Sequence, residues 1–542
     1  MEGQTIDVAR RLIPTRKQLW SCLALLLLLA ALGLVFVTTL RCPLKDDTAW
    51  LLYVTQQWLA GRHLYVDLIE VNPPMIVWLL APPTALAAAL GISAKFTVIP
   101  LFAFCMMACA GWCTHLLRSC RPLGATPLQL FAAIGTVLLA IPGPEFGQRE
   151  HLLVAAALPY LCIFALNPDG ARTQPLAETI AGVLAGLGCA LKPQFLIAFA
   201  LLELVGALNG QRPLRRLTLS AATTVAAYTA AILWFEPAYV TDAVPLGIAL
   251  YGASDVSWLE LVRESRAVLL GDAVAVALWW IYRRKVTDSS VPMTLAVFAA
   301  GSIVVWFLEG KAWFYHRLPA SIVTTLALLY WVSAVLSRPA MRLREASVAG
   351  AAVLIGLLGL AVAAFSRWHG QVEIALAAHP LTEERIEELI RRERARSYVA
   401  FSEWLGLGFP VVNDTGVIWS SRFDSMWALQ GEIWRRRIDG HVPREWPVHS
   451  WVVEDFLAGC PDLAVVDDRE GIDYVRTLSV FDHRFKAAWS NYRQIAAFDG
   501  LRVFRRRPMP SSMAAMRCVR PRYVSNTPKL GSSGHGDRSA GF

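Results

Sequence analysis

The sequence predicts an all-α polytopic membrane protein with a small α/β domain near its C-terminal end. Three observations predict it. Of 542 residues, 55% are hydrophobic and 17% charged, with a mean hydropathy of +0.44, whereas an ordinary soluble domain carries about 25% charged residues. Apolar runs recur along the chain, and those of about 17–25 residues can cross about 30 Å of hydrocarbon. After Phe365 the composition turns charged and mixed. A single water-soluble globule is excluded. The excess of 51 Lys+Arg over 42 Asp+Glu lies in short groups between apolar runs, a pattern of membrane topology and not of a nucleic-acid surface.

Taken in order, residues 1–18 form a cytoplasmic N-terminus with Arg10, Arg11, Arg16 and Lys17 ahead of the first run, 19–40. That run is long and has no small-residue cleavage site, so it reads as an uncleaved span. Further runs lie near 96–117, 127–142, 151–167, 177–191, 193–208, 217–235, 263–283, 291–308, 316–336 and 345–366. Lys192-Pro193 divides 177–208 in two, because proline breaks the helical ladder and a lysine at mid-depth is costly. The stretch 75–91 begins after Pro73-Pro74 and contains Pro82-Pro83. Counted as a crossing, it would put Arg118 and Arg121 outside. Read as re-entrant or interfacial, it leaves them inside with Arg212/Arg215/Arg216, Arg283/Arg284/Lys285 and Arg338/Arg342/Arg344, as the positive-inside rule requires. The expectation is about 11 crossings in 19–366, N-terminus in and C-terminus out.

Residues 367–508 are expected to form a small external α/β domain. A helix from about Thr382 to Arg396 has Glu383 and Glu384 in its first turn and arginines at its end, matching the helix dipole. Strand-like runs follow at Pro410–Asn413, Leu463–Val466 and Leu501–Phe504. The tail 509–542 is rich in Ser, Gly, Pro and Arg and reads as disordered and basic. The ten cysteines suggest no disulfide framework. Cys105, Cys109 and Cys113 share a helix face with His115 following, but thiols in an apolar run are better explained as packing than as a metal site.

On this topology, ionisable residues from four segments collect at one membrane surface. The first loop, 41–74, carries Asp46, Asp47, Asp67, Glu70 and Asn72. The others are Glu145 through His151 with Arg149 and Glu150, Lys192-Pro193-Gln194, and Glu309 through Arg317 with Lys311 and His316. Charges near bilayer depth are expensive and usually line a site. A carboxylate able to take a proton from a hydroxyl, beside cations able to hold an anion, suits displacement of a lipid phosphate by an alcohol. Asp and Glu oxygens also suit Mg²⁺ or Mn²⁺. Each group has a plainer reading. Asp46-Asp47 would cap a helix over 48–60, and Asp67, Glu70 and Asn72 would order the loop. Arg149, Glu150 and His151 would cap a span, Lys192 would snorkel, and Trp313 and Tyr315 would sit in an aromatic belt.

The first span followed by Asp46-Asp47, a helix with Trp50 and Tyr53, then Gly61, Leu64-Tyr65-Val66-Asp67 and Glu70-Val71-Asn72-Pro73-Pro74, resembles the first external loop of the GT-C glycosyltransferases. The likeness is to the bacterial branch similar to dolichyl-phosphate-mannose-protein mannosyltransferases. Gln148-Arg149-Glu150-His151-Leu152-Leu153, Leu191-Lys192-Pro193 and Gly310-Lys311-Ala312-Trp313-Phe314-Tyr315-His316-Arg317-Leu318-Pro319 resemble further blocks of it.

The resemblance implies a glycosyltransferase of the bacterial inner membrane that moves a sugar, with inversion, from a polyprenyl-phosphate donor to an envelope glycan, lipid or protein. Asp47 would act as base, with Asp46 second. Arg149, Glu150, His151, Lys192, Lys311 and His316 would hold the donor phosphate or a metal. A divalent cation, Mg or Mn, would involve Asp47, Glu150 and His151. Asp67, Glu70 and Asn72 would order the loop or the acceptor. A lipid or solute transporter or flippase would instead show charged or helix-breaking residues at mid-membrane in paired halves; the ionisable clusters lie at one surface without such symmetry, and Pro82-Pro83 and Lys192-Pro193 are the interruptions in that reading's favour. A non-catalytic envelope scaffold leaves the four blocks unexplained.

Overall fold

The computed structural model describes residues 16–118, 125–166, 174–251, 256–286, 289–336, 343–376, 381–438, 440 and 446–508. Arg10, Arg11, Arg121, Arg338, Arg342 and the tail 509–542 lie outside them. Seven described helices are long and apolar enough to cross a membrane: Gln18–Arg41, Lys95–Leu117, Arg149–Leu166, Arg216–Phe235, Trp258–Tyr282, Ser290–Glu309 and Phe314–Ala334. Shorter apolar helices lie between them, among them Met75–Leu90, Pro127–Ala140 and Pro175–Leu191. The chain is thus a mainly helical membrane protein with a small sheet toward its C-terminus.

Along the chain the helices are α1 (Arg16–Arg41), α2 (Asp46–Leu59), α3 (Met75–Leu90), α4 (Lys95–Leu117), α5 (Pro127–Ala140), α6 (Arg149–Leu166), α7 (Pro175–Leu191), α8 (Leu196–Leu208), α9 (Arg216–Phe235), α10 (Val244–Leu250), α11 (Trp258–Tyr282), α12 (Ser290–Glu309), α13 (Leu318–Leu336) and α14 (Leu343–Leu376). Helix α6 is the centre of the bundle, with its side chains buried almost throughout from Arg149 to Ala165. Helix α1 packs on α5 and otherwise exposes leucines. Close approach depends on missing side chains. A Cβ on Gly186 of α7 would stand 2.8 Å from the Ala221 carbonyl of α9, and one on Gly301 of α12 would stand 2.5 Å from Ala198 Cα of α8. Small residues at such crossings let backbones meet in a membrane. The contacts bring the ends of α7 and α12 to one end of the bundle.

The division at Lys192-Pro193 is as expected: α7 stops at Leu191, a 3₁₀ turn covers Pro193–Phe195, and α8 follows. Helix α3 runs through Pro82-Pro83 unbroken. Helix α2 starts two residues earlier than expected. Lys45 precedes it without a side-chain cap, and Asp46 and Asp47 both sit in the first turn, where negative charge suits the helix dipole. Helix α14 runs across the expected boundary at 366/367 and continues to Leu376. The apolar stretch ends near Phe365, but helix-forming residues do not, and Trp368 Nε1 donates to the Ala140 carbonyl at 2.6 Å.

The C-terminal domain begins with α15 (Thr382–Arg392) and builds one five-stranded sheet. Its strands are β1 (Ser397–Phe401), β2 (Ile418–Trp419), β3 (Leu463–Asp467), β4 (Tyr492–Phe498) and β5 (Leu501–Arg506), in the order β2-β1-β3-β5-β4. The first three are parallel, and β5 and β4 are antiparallel. The runs at 463–466 and 501–504 are strands. Pro410–Asn413 is not: Val411–Thr415 is a short helix, α16, closed by Gly416 at φ 68°. Its two valines are too few for the alternation that marks a strand. Cys460 is disulfide-bonded, an exception to the expected free thiols.

The domain rests on the first loop. Ile69 N–H donates to the Arg422 carbonyl at 2.8 Å, Asn413 Nδ2 donates to the Ala49 carbonyl at 3.0 Å, and Phe409 packs on Trp50 and Tyr53. Helix α17 (Trp427–Ile438) lies on α10, where a Cβ on Gly431 would stand 2.4 Å from the Leu250 carbonyl. Two cavities remain where loop, bundle and domain meet.

Candidate active site

Local sequence sets each side chain. Gly147 turns the chain at φ 87°, where a Cβ would also stand 2.8 Å from the Phe102 ring; only glycine fits. The turn starts α6 so that Arg149 lines a cavity. Gly310, at φ 66°, ends α12 after Glu309 and sends Lys311 back toward the same space. Lys192 follows the last residue of α7.

Three of the four predicted segments converge on Glu150. Lys192 Nζ lies 3.0 Å from Glu150 Oε1 and 3.5 Å from Glu309 Oε1. His316 Nδ1 lies 3.0 Å from Glu309 Oε2, and its Nε2 lies 3.9 Å from Glu150 Oε1. The fourth segment joins through Arg149, whose Nη2 is 3.8 Å from Asp47 Oδ1. Arg149 is 2% exposed, and its Nε and Nη1 have no hydrogen-bond partner among the described residues. Unpaired buried donors cost about 1–3 kcal/mol each, so an arriving anion would relieve a strain built into the site.

Asp47 lines both cavities. The first, of 500 Å³, takes in Arg149, Lys192, Lys311 and His316 and reaches Ile248 and Leu308. Those two apolar side chains are 77% and 67% exposed, so the cavity opens sideways among apolar surfaces. The second, of 720 Å³, lies under the C-terminal domain. Its walls hold six carboxylates, Asp46, Asp47, Glu145, Glu403, Asp424 and Glu470, against two cations, Lys45 and Arg367, with several aromatic rings. Burial and the Asp46 carboxylate push the Asp47 carboxyl up to about 6, against the pull of Arg149 and Lys45. A carboxyl poised there is a base at neutral pH. Burial likewise raises Glu145 to about 7.

The loop residues act as ordering groups. Glu70 is buried and accepts from Trp50 Nε1, from Asn72 N–H at 2.7 Å and from Asn72 Nδ2. Asp67 accepts a backbone bond from His63 N–H at 3.0 Å and lines neither cavity. Asp46 is held by Lys45 at 3.1 Å. Lys311 is 3% exposed, and its Nζ donates to the Tyr251 carbonyl at 2.7 Å.

His151 is a correction. Its Nδ1 accepts from Gly147 N–H at 3.2 Å, and its Nε2 pairs with the Leu138 carbonyl at 2.8 Å. Both ring nitrogens are taken up by the backbone, and His151 lines neither cavity. Two residues along a helix rotate the side chain by about 200°, which turns His151 away from the face that Arg149 uses. The expected metal set Asp47, Glu150 and His151 is therefore not assembled. A different set, Glu150, Glu309 and His316, offers ligand atoms within 4.8 Å of one another. Its chemistry suits a divalent cation, but Lys192 already places an ammonium between the two carboxylates. A metal does not fit there without displacing it.

Trp313 and Tyr315 are a second correction. Both line the second cavity, and Tyr315, 6% exposed, stacks on Trp313 and lies against the His316 ring. They face the site, not a lipid belt. The sequence reading left out Asp424 and gave Glu309, which opens the fourth predicted segment, no role of its own. Glu309 had a signal, an acid closing an apolar span. Asp424 had none, because nothing local ties it to Asp47. No protein-family model matches the chain, and no curated protein matches it.

Proposed function

We propose that the chain is an integral membrane glycosyltransferase that moves a sugar from a polyprenyl-phosphate donor to an acceptor hydroxyl on the outer face of a bacterial inner membrane. The observation that carries this reading is the Asp47–Arg149 pair at the junction of two unlike cavities. The sideways-opening cavity suits a lipid-borne phosphate, and the other suits an acceptor. Asp47 takes the proton from the acceptor hydroxyl as its oxygen bonds to the anomeric carbon. The bond from that carbon to the phosphate oxygen breaks, and its electron pair leaves on phosphate. Arg149 and Lys311 offset that charge. With base and leaving group on opposite faces of the sugar, the outcome is inversion. Glu150, Glu309 and His316 hold Lys192 in place, and no step is routed through a metal.

Topology follows the same reading. Asp47 and Arg149 meet, while α3, α4 and α5 lie between them in sequence. If α4 and α5 each cross, α3 cannot, which favours 11 crossings with 75–91 along the surface. Cysteines at Val66 and Gln194, both exposed, should react with an impermeant reagent from outside, and one at Leu214 should not. Reaction of position 194 from the same side as 214 would overturn this topology.

Purified protein in liposomes is expected to consume polyprenyl-phosphate-linked sugar and release polyprenyl phosphate. Chelation with EDTA should leave the rate unchanged. A loss of about tenfold or more that Mg²⁺ or Mn²⁺ restores would show that a metal replaces Lys192. A flippase would move the lipid without cleaving it.

A further inference from the structure

The second cavity carries chemistry that the transfer step does not use. Its far wall belongs to the C-terminal domain, at a defined place in that sheet. Strand β1 has β2 on one side and β3 on the other, so the chain reverses its winding direction between β1 and β3. Open α/β sheets bind ligands beyond the carboxyl ends of the strands at such a switch point. Here the residues following β1 are Ser402, Glu403 and Trp404, and those following β3 include Glu470. Ser402 Oγ lies 2.9 Å from Asp467 Oδ2 and 2.7 Å from Glu470 Oε1, and Glu470 Oε1 accepts from Glu403 N–H at 2.7 Å. These bonds tie the two strand ends together and set Glu403, Trp404 and Glu470 in the cavity wall.

We propose that this cavity binds an uncharged, hydroxyl-rich carbohydrate as the acceptor, and that the switch-point edge of the C-terminal domain reads it. The proposal rests on the glycosyltransferase reading above. Tyr315 is the residue that points to a ligand: it is 6% exposed, lines both cavities, and its hydroxyl has no hydrogen-bond partner among the described residues. Trp313 and Trp404 are each 37% exposed and supply rings against which the apolar face of a sugar packs. The carboxylates accept hydrogen bonds from sugar hydroxyls, and Asp424, pushed up to about 8 chiefly by burial, keeps a proton to donate.

Charge selects among acceptors. With Asp424 protonated, the five other acidic side chains against two cations still repel a phosphorylated or uronate chain. A basic peptide is disfavoured because cations already hold the places it would seek. Arg469 lies over Trp404 at 5.0 Å and Arg367 over Phe314 at 3.2 Å, while Lys45 pairs with Asp46.

The test is equilibrium binding to the full-length protein in phosphatidylcholine nanodiscs. The probes are neutral mannan, glucan and arabinan tetrasaccharides, tetragalacturonate and tetralysine. A neutral probe should bind best. Trp404→Ala should weaken it about tenfold, the effect of losing one aromatic platform, whereas Trp404→Phe should restore most of it. Asp47→Asn, which removes the base and not the platform, should still bind it. Preference for a charged probe, no binding of any neutral probe, or an unchanged affinity in Trp404→Ala would overturn the proposal. A parallel assay separates it from the reading beneath. Sugar transfer to a charged or peptide acceptor sinks this inference alone, and neutral binding with no consumption of lipid-linked sugar sinks the glycosyltransferase.

Discussion

Asp47→Asn is expected to abolish sugar transfer while leaving the protein folded and inserted. The asparagine keeps the shape of the side chain and its place beside Arg149 but cannot accept the proton, and loss of a positioned base costs about 10²–10⁴ in rate. Measured kcat on the purified variant checks this; a loss smaller than about tenfold would move the base elsewhere, with Asp46 next in line. The pH profile gives an independent reading. Burial and Asp46 hold the Asp47 carboxyl up at about 6, and the active form is the ionised one, so the wild-type rate should fall as pH drops through about 6. Asp46→Asn removes a charge that raises Asp47. The acid limb should therefore shift to lower pH while much of the rate at neutral pH survives. A limb that stays put would separate it from Asp47.

Arg149→Ala is expected to cost about 10²–10³ in kcat, the scale seen when a donor aimed at developing negative charge is removed. The leaving phosphate would lose a guanidinium whose Nε and Nη1 have no other hydrogen-bond partner among the described residues. Arg149→Lys should rescue little, because an ammonium cannot reproduce the planar fork. His151→Ala is the contrast. Its neighbour in sequence touches the site, but His151 itself ties Gly147 to Leu138. That variant should lower thermal stability and leave the donor KM near wild type. If the two variants behaved alike, the assignment of the anion-binding group to Arg149 would be wrong.

Much of the site was legible because it lies in short charged blocks that interrupt apolar runs. An ionisable residue near bilayer depth needs a reason, and Lys192, Lys311 and His316 each led to the same cavity region. The doubled helix at Lys192-Pro193 was legible for the same cause. What failed was finer. Adjacent residues in Arg149-Glu150-His151 look equivalent as letters, yet helical rotation gives them different neighbours: Asp47, Lys192 and the backbone. Trp313 and Tyr315 read as belt anchors because aromatic rings next to a span usually are. Only the packing of α12 and α13 turns them inward. The end of α14 was missed because hydropathy marks where a membrane stops being favourable, not where a helix must end.

The sequence by itself determined that this is a helical membrane protein with a C-terminal α/β unit and a charged end, because hydrophobic burial and charge placement are written residue by residue. Tertiary structure alone decided that Asp47 stands between two cavities, that Lys192 places its ammonium between Glu150 and Glu309, and that the C-terminal domain closes over the second cavity. Those relations join side chains far apart in the sequence. Local propensity carries no information about them, and they arise only when glycine-lined helix crossings and the docked sheet set distances in space.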